Sequence, residues 1–250
     1  MKIFNSLYLL GMREILRDAK LLFFSLIFPL FFLAMFTFIG KIIPNDKFTL
    51  SFDEFMFPGV LIYALFSIGV IGTALPLIDY KKSGVYKLFA INPVKKSTFI
   101  TSQISVRLTL GIFQILLFLI LGLLLKYIKT NSIMEVLLIC IIILFFMIIL
   151  GLLLSNFFKS SEIAGGVISV ISAPILMLSN VLMPLEIFSK DYTQFSQFLP
   201  FSYMGDILRH AIFKEAKLDY SLSNSWIVII SFIFITYIFS ILTFKFYKKI

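Results

Sequence analysis

Charge is scarce in this chain, and so are the residues that do chemistry. Asp, Glu, Lys and Arg make up 14% of 250 residues, and there is one His, one Cys and one Trp. Soluble domains carry about a quarter charged residues, so a water-exposed globule is excluded. A lone histidine, His210, rules out His-x-x-x-His zinc chemistry, and no serine has an evident His and acid partner. No Gly-rich loop ends in Gly-Lys-Ser or Gly-Lys-Thr, so the chain does not cradle nucleotide phosphates in the P-loop manner. Cys140 sits in an apolar run and has no partner for a disulfide, which leaves it a small core residue. The N-terminus lacks a short apolar core with a small-residue cleavage site, so no removable signal peptide is expected. The apolar runs also lack the acids and histidines of ion-coupled carriers. Arg107 and Glu135 come closest, near predicted span ends, where snorkelling explains the first and the outer headgroups the second.

What is abundant is hydrophobicity: 60% apolar residues, 17% aromatic, and a mean hydropathy of +1.04. A spanning helix needs roughly 20 apolar residues. The chain reads as one all-α, polytopic membrane domain over 1–250, with six transmembrane helices at about 21–40, 55–78, 104–125, 133–157, 163–183 and 226–244. Before them, residues 2–20 place Phe4, Tyr8, Met12, Ile15, Leu16 and Ala19 along one stripe with Ser6, Arg13, Arg17 and Lys20 opposite, as in an interfacial amphipathic helix. Assigning loops alternately, and counting Arg107 and Glu135 with the span ends they lie near, puts 14 basic and 4 acidic residues on one side (+10) and 8 basic and 9 acidic on the other (−1). By the positive-inside rule both termini face the cytoplasm. The net charge of +9 thus needs no nucleic acid to explain it.

Two polar segments stand out. The first, within the 79–103 loop, runs from Tyr80 to Ile91 as a short helix stopped by Asn92-Pro93. Tyr86 and Phe89 are expected as exposed aromatics suited to a partner's groove; a basic loop drawn to anionic lipid is the other reading. The second lies in 184–225, where Ser202, Asp206 and Arg209 share one helical face and Phe201, Met204, Leu208 and Ala211 the other. Asp206 is spaced to pair with Arg209 or His210, and the helix is expected to dip into the outer leaflet. Gly165 and Gly166 in span five are small enough for close helix approach.

In order along the chain, Arg13-Glu14 and Arg17-Asp18, Phe28-Pro29-Leu30, Phe57-Pro58-Gly59, Asp79 through Gly84 to Asn92-Pro93-Val94, and Leu199-Pro200 with Asp206 and Arg209 resemble the permease subunits of ABC-2 type exporters. Many relatives carry an acidic residue beside the loop glycine, where this chain has Lys81-Lys82-Ser83. The resemblance implies a multi-pass protein of a bacterial-type plasma membrane that binds no cofactor itself. ATP and Mg would sit on two copies of a separate ABC ATPase, and a second permease subunit, identical or not, would complete the pathway. It further implies an ATPase-coupling helix at 80–93 (Tyr80, Gly84, Tyr86, Lys87, Phe89, Asn92 and Pro93), and re-entrant outer helices within 184–213 with Pro184, Pro200, Asp206 and Arg209 at an outer gate. Phe28, Phe32, Pro58, Gly59 and Ser172 are candidates for lining the pathway of an amphipathic or apolar substrate such as a peptide, drug or lipid. Ordinary lipid-facing packing is the competing account of the phenylalanines. A non-transport scaffold or an intramembrane enzyme is the alternative function.

Overall fold

The structure, a computed structural model, describes residues 2–42, 50–91, 94–184, 195–216 and 218–243, with 89–91 described by backbone alone. Every regular element among them is helical. An N-terminal helix α1 (Lys2–Arg17) precedes span one, α2 (Ala19–Gly40), and span two, α3 (Phe52–Lys82). A short α4 (Val85–Ile91) leads to span three, α5 (Lys96–Leu124), and span four, α6 (Ile133–Phe157). Span five, α7 (Ser161–Leu178), a compact α8 (Pro200–Ile212) and span six, α9 (Leu222–Thr243), complete the order. All six spans are long and apolar enough to cross a bilayer.

Local signals set the helix ends. Asp18 accepts the Leu21 amide at 3.0 Å to start α2. Ser51 and Glu54 form a reciprocal capping box that starts α3, three residues before the expected 55. Lys126 (φ 61°) and Asn180 (φ 55°) are left-handed and close α5 and α7. The Leu182 amide then folds back to the Leu176 carbonyl at 3.2 Å, so span five ends at Leu178 rather than 183. Gly84 (φ 78°) separates α3 from α4. The helix expected to run unbroken from Tyr80 is therefore two helices, and Tyr80 belongs to the end of span two.

Span two is the post around which the bundle forms: 78% of its most apolar stretch lies inside the protein, against 17% for span one, 22% for span five and 11% for span six. Its tightest neighbour is span four. A Cβ on Gly151 would lie 2.7 Å from the Gly69 carbonyl oxygen and 2.8 Å from that of Val70, and one on Gly69 would lie 2.3 Å from the Met147 Cβ. The close approach expected at Gly165 and Gly166 is thus found elsewhere: a Cβ on Gly166 would meet nothing within 4 Å. Helix α1 lies along span three with Leu7, Gly11 and Ile15 buried and Tyr8 bonded to Thr109 at 2.9 Å. The buried stripe is one residue away from the expected one, because Leu16 and Ala19 face outward while Gly11 lets the helix settle on Val106.

Gly151→Ala and Gly59→Ala should each overpack a backbone contact, since a Cβ on Gly59 would lie 2.0 Å from the Val181 carbonyl oxygen. A cost of about 1–3 kcal/mol should appear as a lowered melting temperature of the detergent-purified protein. Gly166→Ala should leave it unchanged; equal losses in all three variants would refute this packing.

Candidate functional site

The site begins with two prolines, each of which withholds one helical amide. Pro29 withholds an amide from the Ser25 carbonyl and Pro76 one from the Gly72 carbonyl. Near each, the helix widens into a π turn, Phe23–Ile27 in span one and Ser67–Ile71 in span two, a feature frequent at functional sites. The two π turns face each other, and the Ser67 hydroxyl donates to the Phe24 carbonyl at 3.2 Å.

Two cavities meet beside this pair. One, of about 610 Å³, opens at the α1 end and is lined by Asp18, Lys20, Asp79, Glu162 and the Ser25 and Ser67 hydroxyls, among others. The other, of about 550 Å³, continues toward the α8 end with Phe36, Phe52, Met56 and Met177, and bears no charged side chain. Phe28, Tyr63, Ile71 and Ser169 belong to both. Of the candidate pathway residues, Phe28, Phe32 and Ser172 line the apolar cavity, as does Pro184. Pro58 and Gly59 do not. They are buried where span two meets the turn after span five, and the missing Cβ of Gly59 permits that contact.

At the α8 end, the sequence spacing of Asp206 and Arg209 becomes a junction of four elements. Asp206 and Arg209 are 1% and 4% exposed, with 3.9 Å between carboxylate and guanidinium. Arg209 donates to the Asn180 carbonyl at 2.7 Å, beyond the end of α7, and stacks on the Phe55 ring at 4.0 Å, in the first turn of α3. Asp206 accepts the Asp219 and Tyr220 amides at 2.9 and 2.8 Å, fixing the entry to α9, while Asn180 donates to Asp219. Burial pushes the Asp206 carboxyl pKa up and the Arg209 guanidinium pKa down, because both ions have lost solvent. Helix α8 does not expose one face to lipid as expected. Every residue but His210 is buried, because spans two, four and six surround it. Residues 185–194 of the expected re-entrant element lie outside the described residues. Glu135 meets Lys214 at 2.6 Å instead of reaching headgroups alone.

The α1 end corrects two further expectations. Arg107 does not snorkel: it is 1% exposed. Its Nε donates to the Gly72 carbonyl at 3.2 Å, the acceptor that Pro76 leaves vacant, and its Nη1 donates to the carbonyl and side-chain oxygens of Gln103. Beside it, Tyr80 donates to Glu14 of α1. Tyr86 is not an exposed docking aromatic but is 5% exposed, edge-on to Phe99 with ring centroids 5.6 Å apart, which also drives its hydroxyl pKa upward by desolvation. It anchors α4 to span three. Lys87 and Leu88 are the described side chains that α4 presents outward. Asn92, Pro93 and the Phe89 side chain lie outside the described residues. The network of Glu14, Gln103 and Gly72 around Arg107 was missed, although a glycine four residues before a proline marked the vacant carbonyl.

The sequence profile of ABC-2 family transporter proteins matches residues 41–244, from the end of span one to the end of span six. The chain belongs to the ABC-2 transporter family. Comparison with curated proteins returned no match. The protein is a multi-pass permease subunit of an ABC transporter, and the family's ATPase resides in a partner chain. For this ABC-2 permease, the buried Arg107 makes one direct demand. Arg107→Leu should strand the Gly72 carbonyl at a cost of about 1–3 kcal/mol, whereas Pro76→Ala supplies the missing amide. The double variant should therefore melt above Arg107→Leu alone; purely additive losses would show that the guanidinium does not serve this carbonyl.

Proposed function

We propose that this permease exports an amphipathic or apolar substrate through the two joined cavities, driven by a separate ATPase. The observation that carries the reading is the change of lining at the paired π turns, from ionic groups and hydroxyls near α1 to aromatics and methionines beyond Tyr63. A molecule with a polar end and an apolar body matches both halves. The charge asymmetry of +10 against −1 supports a cytoplasmic side for both termini and α4. Substrate then enters at the polar mouth and leaves past Pro184 and the Asp206–Arg209 junction, which acts as an outer gate. Spans one, five and six bury little of their surface within one chain, in keeping with a second permease subunit, identical or related, on the open side of the cavities.

Helix α4 is the coupling helix in this scheme. ATP and Mg bind two copies of the ABC ATPase, and closure of the ATPases pushes on Lys87 and Leu88, while Tyr86 passes the displacement through Phe99 to spans two, three and four, which move as one body. Leu88 is 56% exposed and Gly84 gives the preceding turn its left-handed backbone.

Co-purification from membranes tests this. Lys87→Glu with Leu88→Asp should weaken ATPase association by about 2 kcal/mol, the scale of an interface hot spot, with the melting temperature unchanged. Tyr86→Ala should lower the melting temperature as well. Full ATPase retention and transport in the Lys87/Leu88 variant would overturn the coupling assignment.

A further inference from the structure

A third cavity, of about 610 Å³, lies beneath α1 and borders the polar mouth of the proposed pathway at Asp18; its lining includes Leu7, Leu10, Arg13, Arg17, Val85 and Phe99. Arg13 and Arg17 stand one turn apart on the same helix face, and neither has an ion-pair partner among the described residues. The two acids beside them are engaged: Glu14 accepts from Tyr80 and Asp18 from the Leu21 amide. Gln103 also lines the cavity and is bound to Arg107, buried behind it. Two guanidiniums therefore face a hollow whose two carboxylates are already bonded. Leu7, Leu10, Val85 and Phe99 supply the apolar part of its wall, and Leu9, Leu10 and Leu16 on α1 are more than half exposed, as in a helix lying in a lipid interface.

We infer that this cavity binds the headgroup of an anionic phospholipid, with the phosphate held by Arg13 and Arg17 and the first carbons of the acyl chains against Leu7 and Leu10. Arginine forks match phosphate oxygens in a bidentate way that lysine cannot. A soluble phosphate compound would gain nothing from the leucines, whereas a lipid in the leaflet uses both features. Val85 and Phe99 connect the cavity to the base of α4, so a bound lipid would brace α1 against the helix that carries Tyr86.

The test uses the full permease with its ATPase, stripped of lipid and titrated in detergent with phosphatidylglycerol or phosphatidylcholine, bound lipid being counted by native mass spectrometry. The wild type should prefer phosphatidylglycerol, and Arg13→Gln/Arg17→Gln should weaken that preference roughly tenfold, the effect of one lost charge-assisted hydrogen bond. Lys126→Gln/Lys129→Gln, the same charge loss at the other end, should keep it. Arg13→Lys/Arg17→Lys should keep the protein folded with an intermediate preference. An unchanged preference in the Gln or Lys double variant overturns the site. Displacement of the lipid by equimolar glycerol phosphate would show a soluble-phosphate site and overturn the lipid assignment.

Discussion

A helix crossing hydrocarbon has no water to satisfy a carbonyl that its own turn leaves unpaired, so each freed backbone group must find a partner within the protein. Much of this structure follows from that constraint. Pro76 frees the Gly72 carbonyl, and a buried arginine from the neighbouring span takes it. The widened turns of spans one and two lie together, where Ser67 bonds the Phe24 carbonyl. At the far end, the carbonyl of Asn180 and the amides of Asp219 and Tyr220 are claimed by the Arg209–Asp206 junction. Each repair joins two or more elements, so local breaks in helical bonding become the tertiary links of the bundle.

These links tie some helices closely and others loosely. Spans two, three and four form the closely tied group: Gly69 and Gly151 bring two backbones together, Gly111 meets Leu144, and Arg107 ties span three to span two. Spans one and five flank the cavities and bury little within the chain. Span one remains attached through the Ser67–Phe24 bond, and span five through the contact of Ser161 with Asp79 at 2.6 Å and the Asn180–Arg209 bond. Few polar ties and broad apolar faces let a helix shift at small cost, whereas interlocked glycines do not.

The six spans and the hairpin around Lys126 were legible in the sequence because run length and turn residues are local properties. So was the Asp206–Arg209 pair, since a spacing of three on a helix is itself a contact prediction. What the sequence concealed was which face each element turns inward. Tyr86 looked like an exposed aromatic, but Phe99, thirteen residues on, supplies an internal partner that no local pattern reveals. Arg107 lies near a span end, where snorkelling is the usual solution; the vacancy that holds it belongs to another helix. Pro58-Gly59 suggested a pathway surface, while the glycine in fact admits the Val181 carbonyl. Burial of α8 on nearly all sides likewise depends on spans two, four and six, the first two of them distant in sequence.

The central proposal is that spans two, three and four move as one body when the ATPases close, and that spans one and five shift relative to it. Spin labels at Phe31 and Ile171, both outward-facing on the spans that flank the cavities, report the shift; labels at Ile120 and Leu138 on spans three and four report the single body. In the permease–ATPase complex in nanodiscs, trapping ATP should change the Phe31–Ile171 distance and leave the Ile120–Leu138 distance as it was. A constant first distance, or an equal change in both, would contradict the account.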